Sequence, residues 1–339
     1  MNNFIKLSDE QKRSLVTQTA MRTGLPLQII EKDLWVTAML QIVFLLPFAD
    51  KLLFKGGTSL SKVWGLISRF SEDIDLAIDR EVFGEEFKGD LTKKNLKKLR
   101  KVSSTYVRDE FCNALNNCIE SYGLGEYIKA VPQEDGEGDG TYPEPRKIFI
   151  HYPTLFDGND LSDYVSSEIV LEVSSRSLIE PFENRKVQSI ISENLPFDTN
   201  IADCDISTAM PAKTFLEKAF LLHELFSTNG TAEAKRKSRH LYDLEKMMDM
   251  QFALDAIVDD ELWETIAHHR EVFTPLKDVD YTKDIRSEIV LIPPSASIED
   301  WRTDYNEMRE SMIYGGKLSF GELIARIEEL QNKFRNRAN

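Results

Sequence analysis

The hydrophobic and polar positions of the first fifty residues fall into two runs of helical length. In "LSDEQKRSLVTQTAMRTG" Ser8 stands at an N-cap position and Gly24 at a C-terminal stop, and "PLQIIEKDLWVTAMLQIVFLL" starts from Pro26, a residue suited to a first turn. The apolar stretch from Leu34 to Phe48 carries Thr37 and Gln41 and ends at a proline, so it reads as a buried helix and is too short and interrupted to cross a membrane. Then the period changes. "KLLF" is a short apolar strand, "TSLSKVWGLI" a helix opening at the hydroxyls, and "DIDLAID" alternates acid with aliphatic as a half-buried strand does.

Residues 91–122 return to a helical pattern, and "PQEDGEGDGTYPEPR" (Pro132 to Arg146) is a glycine- and acid-rich loop, expected to be mobile. "KIFIHYP" and "SEIVLEVSSR" read as strands. "PAKTFLEKAFLLHELF" places Phe215, Ala219, Leu222 and Phe226 on one helix face. "SRHLYDLEKMMDM" and the stretch from Glu261 onward read as helical to the C terminus. No fixed repeat is evident. The expected fold class is α+β, with a mixed-sheet lobe over 1–205, including an N-terminal helical extension, and a helical lobe over 206–339.

Charge narrows the choice of partners. The chain carries a net charge of −15, so it cannot adhere to a polyanion over its whole surface; any nucleic acid must meet a local basic patch. Two exist, "KGDLTKKNLKKLRK" (Lys88 to Lys101) and "KRKSRH" (Lys235 to His240), although a basic run is commonly just a solvated face. Cys112, Cys118 and Cys204 form neither an even disulfide set nor a CxxC pair, which suits a reducing compartment and argues against zinc. With no secretory signal visible in "MNNFIKLSDEQKRSL", a cytoplasmic location is expected.

The chemistry concentrates between Phe54 and Asp79. Glycines at the end of a strand let backbone amides approach a ligand, so Gly56, Gly57, Thr58 and Ser59 form a candidate phosphate cradle. Neither GxxxxGK[ST] nor GxGxxG is present, which excludes a P-loop and a Rossmann turn. In a strand, residues two apart share a face, so Asp73 and Asp75 present adjacent carboxylates while Ile74, Leu76 and Ile78 face the core. Two hard oxygen donors suit Mg²⁺ beside a triphosphate. A lone pair of that kind is commonly a polar strand edge; its coupling to GGTS across a short helix favours the metal.

"GGTSL" followed by "RFSEDIDL" resembles the signature of the AbiEii/AbiGii-type nucleotidyltransferases, a branch of the DNA-polymerase-β-like superfamily whose members include toxins of toxin–antitoxin pairs. "EKDLWVTAML" is similar to the family's N-terminal helix, "IVLEVSSRSLIEP" to its later strand with Glu172 and Arg176, "EKAFLLHE" to its lysine helix and "SRHLYDL" to its final aspartate motif. The likeness spans most of residues 25–250. One departure is His240, where many members carry Asp.

The resemblance implies a polymerase-β-like lobe with a mixed sheet, a helical C-terminal lobe, and substrate between them. It implies in-line attack of a hydroxyl on the α-phosphate of an NTP, with Mg²⁺, or Mn²⁺ in its place, held by Asp73 and Asp75. Glu172 would be a third carboxylate near the metal or the attacking hydroxyl. Lys218 would bind triphosphate, with Lys213 as its alternative, and Asp243 would orient or deprotonate the nucleophile or organise basic side chains. Lys62 and Ser71 are lesser candidates for phosphate contact and turn capping. The implied protein is a toxin of a toxin–antitoxin or phage-defence pair, with a cognate antitoxin and the tRNA 3′ end as acceptor. A protein hydroxyl as acceptor, or a catalytically idle NTP-binding module, is the alternative.

Overall fold

Seven short strands build one mixed sheet: β1 (Leu52–Lys55), β2 (Ile74–Ile78), β3 (Lys129–Pro132), β4 (Arg146–His151), β5 (Glu168–Ser174), β6 (Phe182–Arg185) and β7 (Ile206–Ala209), in the order β3-β4-β5-β2-β1-β7-β6. This computed structural model describes residues 1–136, 141–156, 166–227 and 233–337. Part of the glycine- and acid-rich loop, 137–140, lies outside the described residues. The chain divides into two compact units, the first Met1–Val63 with Ser71–Thr208 and the second Trp64–Phe70 with Ala209–Asn339.

In the first unit β1 runs antiparallel to β2 and parallel to β7, while β2 runs parallel to β5. Alternation sorts the side chains: Ile74, Leu171 and Ile148 are register partners and fully buried, whereas Asp75, Glu172 and Lys147, one residue on or back, occupy the opposite face. The helices of this unit are α1 (Asn2–Ile5), α2 (Asp9–Thr23), α3 (Leu27–Val43), α4 (Gly56–Lys62), α5 (Lys93–Tyr106), α6 (Cys112–Ser121) and α7 (Ile190–Asn194). Ser8 and Gln11 close a capping box at the start of α2, and Gly24 ends that helix at φ +72°. Every residue of α3 from Ile29 to Val43 is buried, the polar Glu31, Lys32, Asp33, Thr37 and Gln41 included. Trp35 of α3 stacks on Tyr152 with ring centroids 5.6 Å apart.

The second unit holds α8 (Pro211–Ser227), α9 (Ser238–Met247), α10 (Gln251–Val258), α11 (Asp260–Phe273), α12 (Ile298–Ser311) and α13 (Phe320–Arg337). Phe220, Trp263 and Phe334 form its aromatic centre, with Phe220 and Trp263 ring centroids 4.3 Å apart. Among the described residues no helix is long and apolar enough to cross a membrane.

Two expectations need correction. The helix after the glycines ends at Lys62 rather than continuing through Ile67, because Gly65 adopts φ +62° and the segment Trp64–Phe70 joins the second unit. There Trp64 Nε1 donates to Ala209 O at 3.0 Å and Phe70 N to Met312 O at 2.8 Å. Nor is the chain helical from Glu261 to the end. Pro275 stops α11, and only a 3₁₀ turn, Ile285–Glu288, interrupts the irregular stretch before α12.

Candidate active site

Two clusters of chemistry-bearing side chains stand out, one in each unit. In the first, the chain leaves β1 through Gly56 at φ +80°, and an added Cβ there would sit 2.0 Å from Asp75 Oδ2. Glycine is therefore required twice over: for its backbone conformation, and because the Asp75 carboxylate lies against that backbone. Asp73 immediately precedes β2. Thr58 Oγ1 donates to the Asp73 carbonyl and lies 2.9 Å from Ser71 Oγ, while Ser59 Oγ donates to Gly56 O at 2.8 Å. Both hydroxyls are buried and tie the turn to itself and to the aspartate segment. Gly57 is buried beside them.

Register places Glu172 next to Asp75 on β5, and Lys55 next to Asp75 on β1. Glu172 Oε1 pairs with Lys147 Nζ at 2.9 Å. Lys62 is engaged by the Asp33 carboxylate and by Gln188 O at 3.1 Å, with its side chain 6% exposed. Among the described residues no three His, Cys, Asp or Glu side chains form a metal-holding group. Two carboxylates nevertheless fit Mg²⁺, which commonly takes one or two protein carboxylates and fills its octahedron with water and substrate phosphate.

In the second unit Asp243 of α9 is completely buried between two cations. Arg69 donates to both its oxygens, Nε to Oδ1 at 2.7 Å and Nη2 to Oδ2 at 2.8 Å, and Lys218 Nζ lies 2.9 Å from Oδ2. Burial alone would raise the Asp243 pKa; Arg69 and Lys218 outweigh it and hold the carboxyl well below its usual range. Burial lowers the Lys218 pKa, with Asp243 opposing and Arg69 reinforcing. His240 Nδ1 lies 3.4 Å from Lys218 Nζ, and burial followed by the Lys218 charge keeps the imidazole far below its ordinary pKa. It is therefore neutral at physiological pH. The ammonium of Lys218 has three donors, of which Asp243 and His240 take two.

The sequence profile of the family described as "Nucleotidyl transferase AbiEii toxin, Type IV TA system" matches residues 38–332, most of the chain. The chain belongs to the AbiEii family of nucleotidyltransferase toxins. The match runs well past residue 250, where the sequence motifs end. Among solved structures, MenT4, a nucleotidyltransferase toxin from Mycobacterium tuberculosis, is similar over 95% of this chain and 89% of its own, at 17% identity and a TM-score of 0.47. JHP933 from Helicobacter pylori is similar over 92% of this chain and 94% of its own, at 13% identity and a TM-score of 0.44. No curated protein matches the sequence.

In this AbiEii protein Arg69 is the member of the buried Asp243 cluster that the sequence motifs do not single out. It lies in the "RFSED" stretch next to the aspartates, yet its partner is in α9, and nothing local announces the pair. The Asp243 carboxylate likewise serves Arg69 and Lys218 rather than making only a surface contact with Arg239 four residues earlier. Lys213 is fully buried on α8. On α5, Lys93, Lys94, Lys97 and Lys98 are exposed, and Lys98 pairs with Glu86 at 2.6 Å. Lys88 pairs with Glu85 at 3.0 Å, so glutamates before the helix neutralise part of the patch. In the second patch Lys237 pairs with Glu233 at 3.4 Å.

Proposed function

We propose that this AbiEii toxin transfers a nucleoside monophosphate from an NTP to a hydroxyl at the tRNA 3′ end, in the cytoplasm, under the control of a cognate antitoxin and as part of a phage-defence pair. The observation that carries the reading is the Asp75 carboxylate seated against Gly56, with Asp73 tied to the same turn through Thr58. Asp73 and Asp75 would hold Mg²⁺ or Mn²⁺, which when bound offsets the charge of a triphosphate. Gly56, Gly57, Thr58 and Ser59 shape the turn on which phosphate would rest, Thr58 and Ser59 acting through the bonds that fix its backbone. Lys218 supplies an ammonium for the leaving pyrophosphate. Asp243 keeps Lys218 and Arg69 charged and aimed; saturated by cations and held far below its normal pKa, it organises them rather than accepting a proton. Glu172, beside Asp75, tunes the charge of that face through Lys147.

The exposed lysines of α5 favour an RNA acceptor over a protein one, since only a polyanion requires them. The glutamates that pair with Lys88 and Lys98 narrow the patch, and this keeps a protein hydroxyl as the second reading. The deciding experiment incubates the purified protein with total RNA and each α-labelled NTP in turn, and separates labelled RNA from labelled protein on gels. Labelled tRNA that disappears with Asp73→Ala and with Asp75→Ala supports the proposal. Label on protein replaces the acceptor, and label that survives both substitutions removes the site.

A further inference from the structure

Three consecutive charged residues, Glu31, Lys32 and Asp33, interrupt the buried helix α3, and they are only 2%, 1% and 8% exposed. Charges are withdrawn from water in this way only when specific partners offset the desolvation. Successive helix positions diverge by about 100°, and each of the three reaches a different segment. Glu31 accepts from Leu155 N at 2.6 Å and Thr154 Oγ1 at 2.8 Å. Lys32 Nζ donates to Glu72 Oε2 at 2.6 Å and Ser166 O at 3.0 Å. Asp33 accepts from Lys62 Nζ and from Ile190 N, the latter at 2.7 Å.

Two of these partners border the proposed nucleotide site. Glu72 is the residue before Asp73, and Lys62 is the last residue of the helix that begins at Gly56. We infer that Lys32 and Asp33 are positioning residues that set the spacing between the Gly56 turn and the Asp73–Asp75 carboxylates, one through Glu72 and the other through Lys62. Thr58, bonded to the Asp73 carbonyl, joins the two anchored segments directly. Lys32 and Asp33 act through Glu72 and Lys62, the residues next to the site. The inference rests on the functional reading of Asp73 and Asp75.

The test uses the full chain with two variants: Lys62→Gln, and Lys32→Met combined with Glu72→Gln so that neither buried charge is left alone. Hydrogen exchange of the peptides covering 54–62 and 70–78 is followed where circular dichroism shows folded protein. Each variant is expected to speed exchange in both peptides by roughly tenfold, with α3 unchanged. Direct Mn²⁺ binding, read by electron paramagnetic resonance with NTP present, should weaken several-fold, and Lys62→Arg should restore much of it. Unchanged exchange in both peptides, or loosening confined to α3, overturns the inference. If the double variant does not fold, Glu72→Gln alone, which keeps an oxygen acceptor for Lys32 Nζ, replaces it. A wild type that neither binds Mn²⁺ nor labels an acceptor sinks the functional reading, while the exchange data still decide whether Lys32 and Asp33 anchor the turn.

Discussion

Arg69 grips Asp243 through both carboxylate oxygens, at 2.7 and 2.8 Å, across 174 residues of sequence. Burial alone would lower the Arg69 pKa, but Asp243 outweighs it and raises it, so the pair is fully ionised. A bidentate guanidinium–carboxylate pair is specific in direction as well as strong. Breaking a buried pair from one side leaves an uncompensated charge, so Asp243→Ala should cost about 3–5 kcal/mol in denaturant unfolding. The sign of the pH dependence follows from the depressed Asp243 pKa. Its stabilisation is complete above the unfolded-state value of about 3.9 and is lost as pH falls toward the lower folded value. The stability gap between wild type and Asp243→Asn should therefore stay level from about pH 5 to 8 and shrink below about pH 4. A gap that varies through neutral pH would contradict this ionisation.

Gly56→Ala is expected to abolish transfer and to destabilise the protein by about 1 kcal/mol or more, because a left-handed backbone is costly for any residue with a Cβ. The added carbon would also meet Asp75 Oδ2 at 2.0 Å. Combining Gly56→Ala with Asp75→Ala removes the 2.0 Å contact with the carboxylate, leaving only the Cβ of residue 75 at 3.0 Å, and should recover part of the stability without activity. That non-additivity, measured as a double-mutant cycle, separates contact with Asp75 from backbone strain. Purely additive losses would show that the two residues do not meet.

What could be read from the chain was local. Ser8 and Gly24 mark α2 because caps act within a turn; β4 and β5 show their alternation because each has six or seven residues. The short strands β3, β6 and β7 escape notice because four residues give too little period and, unlike Leu52–Phe54 of the equally short β1, none has three large apolar residues in a row; all four residues of β6 are exposed. At the site, Gly56, Asp73 and Asp75 are legible as a motif. The inward turn of Thr58 and Ser59 is not, since a hydroxyl looks the same in sequence whether it faces a ligand or the Asp73 carbonyl. Arg69 and Asp33 are illegible for another reason: their partners are set by how distant segments pack, which no spacing rule encodes.

His240 offers a test of the lysine. Lys218 has a lowered pKa and loses its charge at a lower pH than an exposed lysine would, so NTP binding should weaken early on the alkaline side. His240→Asp puts a second carboxylate near that ammonium in place of a neutral imidazole, and should raise the Lys218 pKa. The alkaline rise in KM for NTP should then shift to higher pH, with little change near pH 7. An unshifted profile would mean that Lys218 does not govern NTP binding.

The acceptor is tested on α5. Among its exposed lysines, Lys98 is already paired with Glu86, whereas Lys93, Lys94 and Lys97 have no acidic partner among the described residues. A phosphate contact made by an unpaired lysine contributes roughly 0.7–0.9 to the slope of log affinity against log salt. Neutralising Lys93, Lys94 and Lys97 should thus flatten the salt dependence of RNA binding by up to about two to three units. Neutralising Lys98 alone should change it less, because its charge is partly offset at rest. NTP affinity should remain near wild type in both variants, since none of these residues belongs to the Gly56 turn or the Lys218 cluster. RNA labelling that ignores all four lysines and also the Lys235 to Arg239 segment would move the acceptor from RNA to protein.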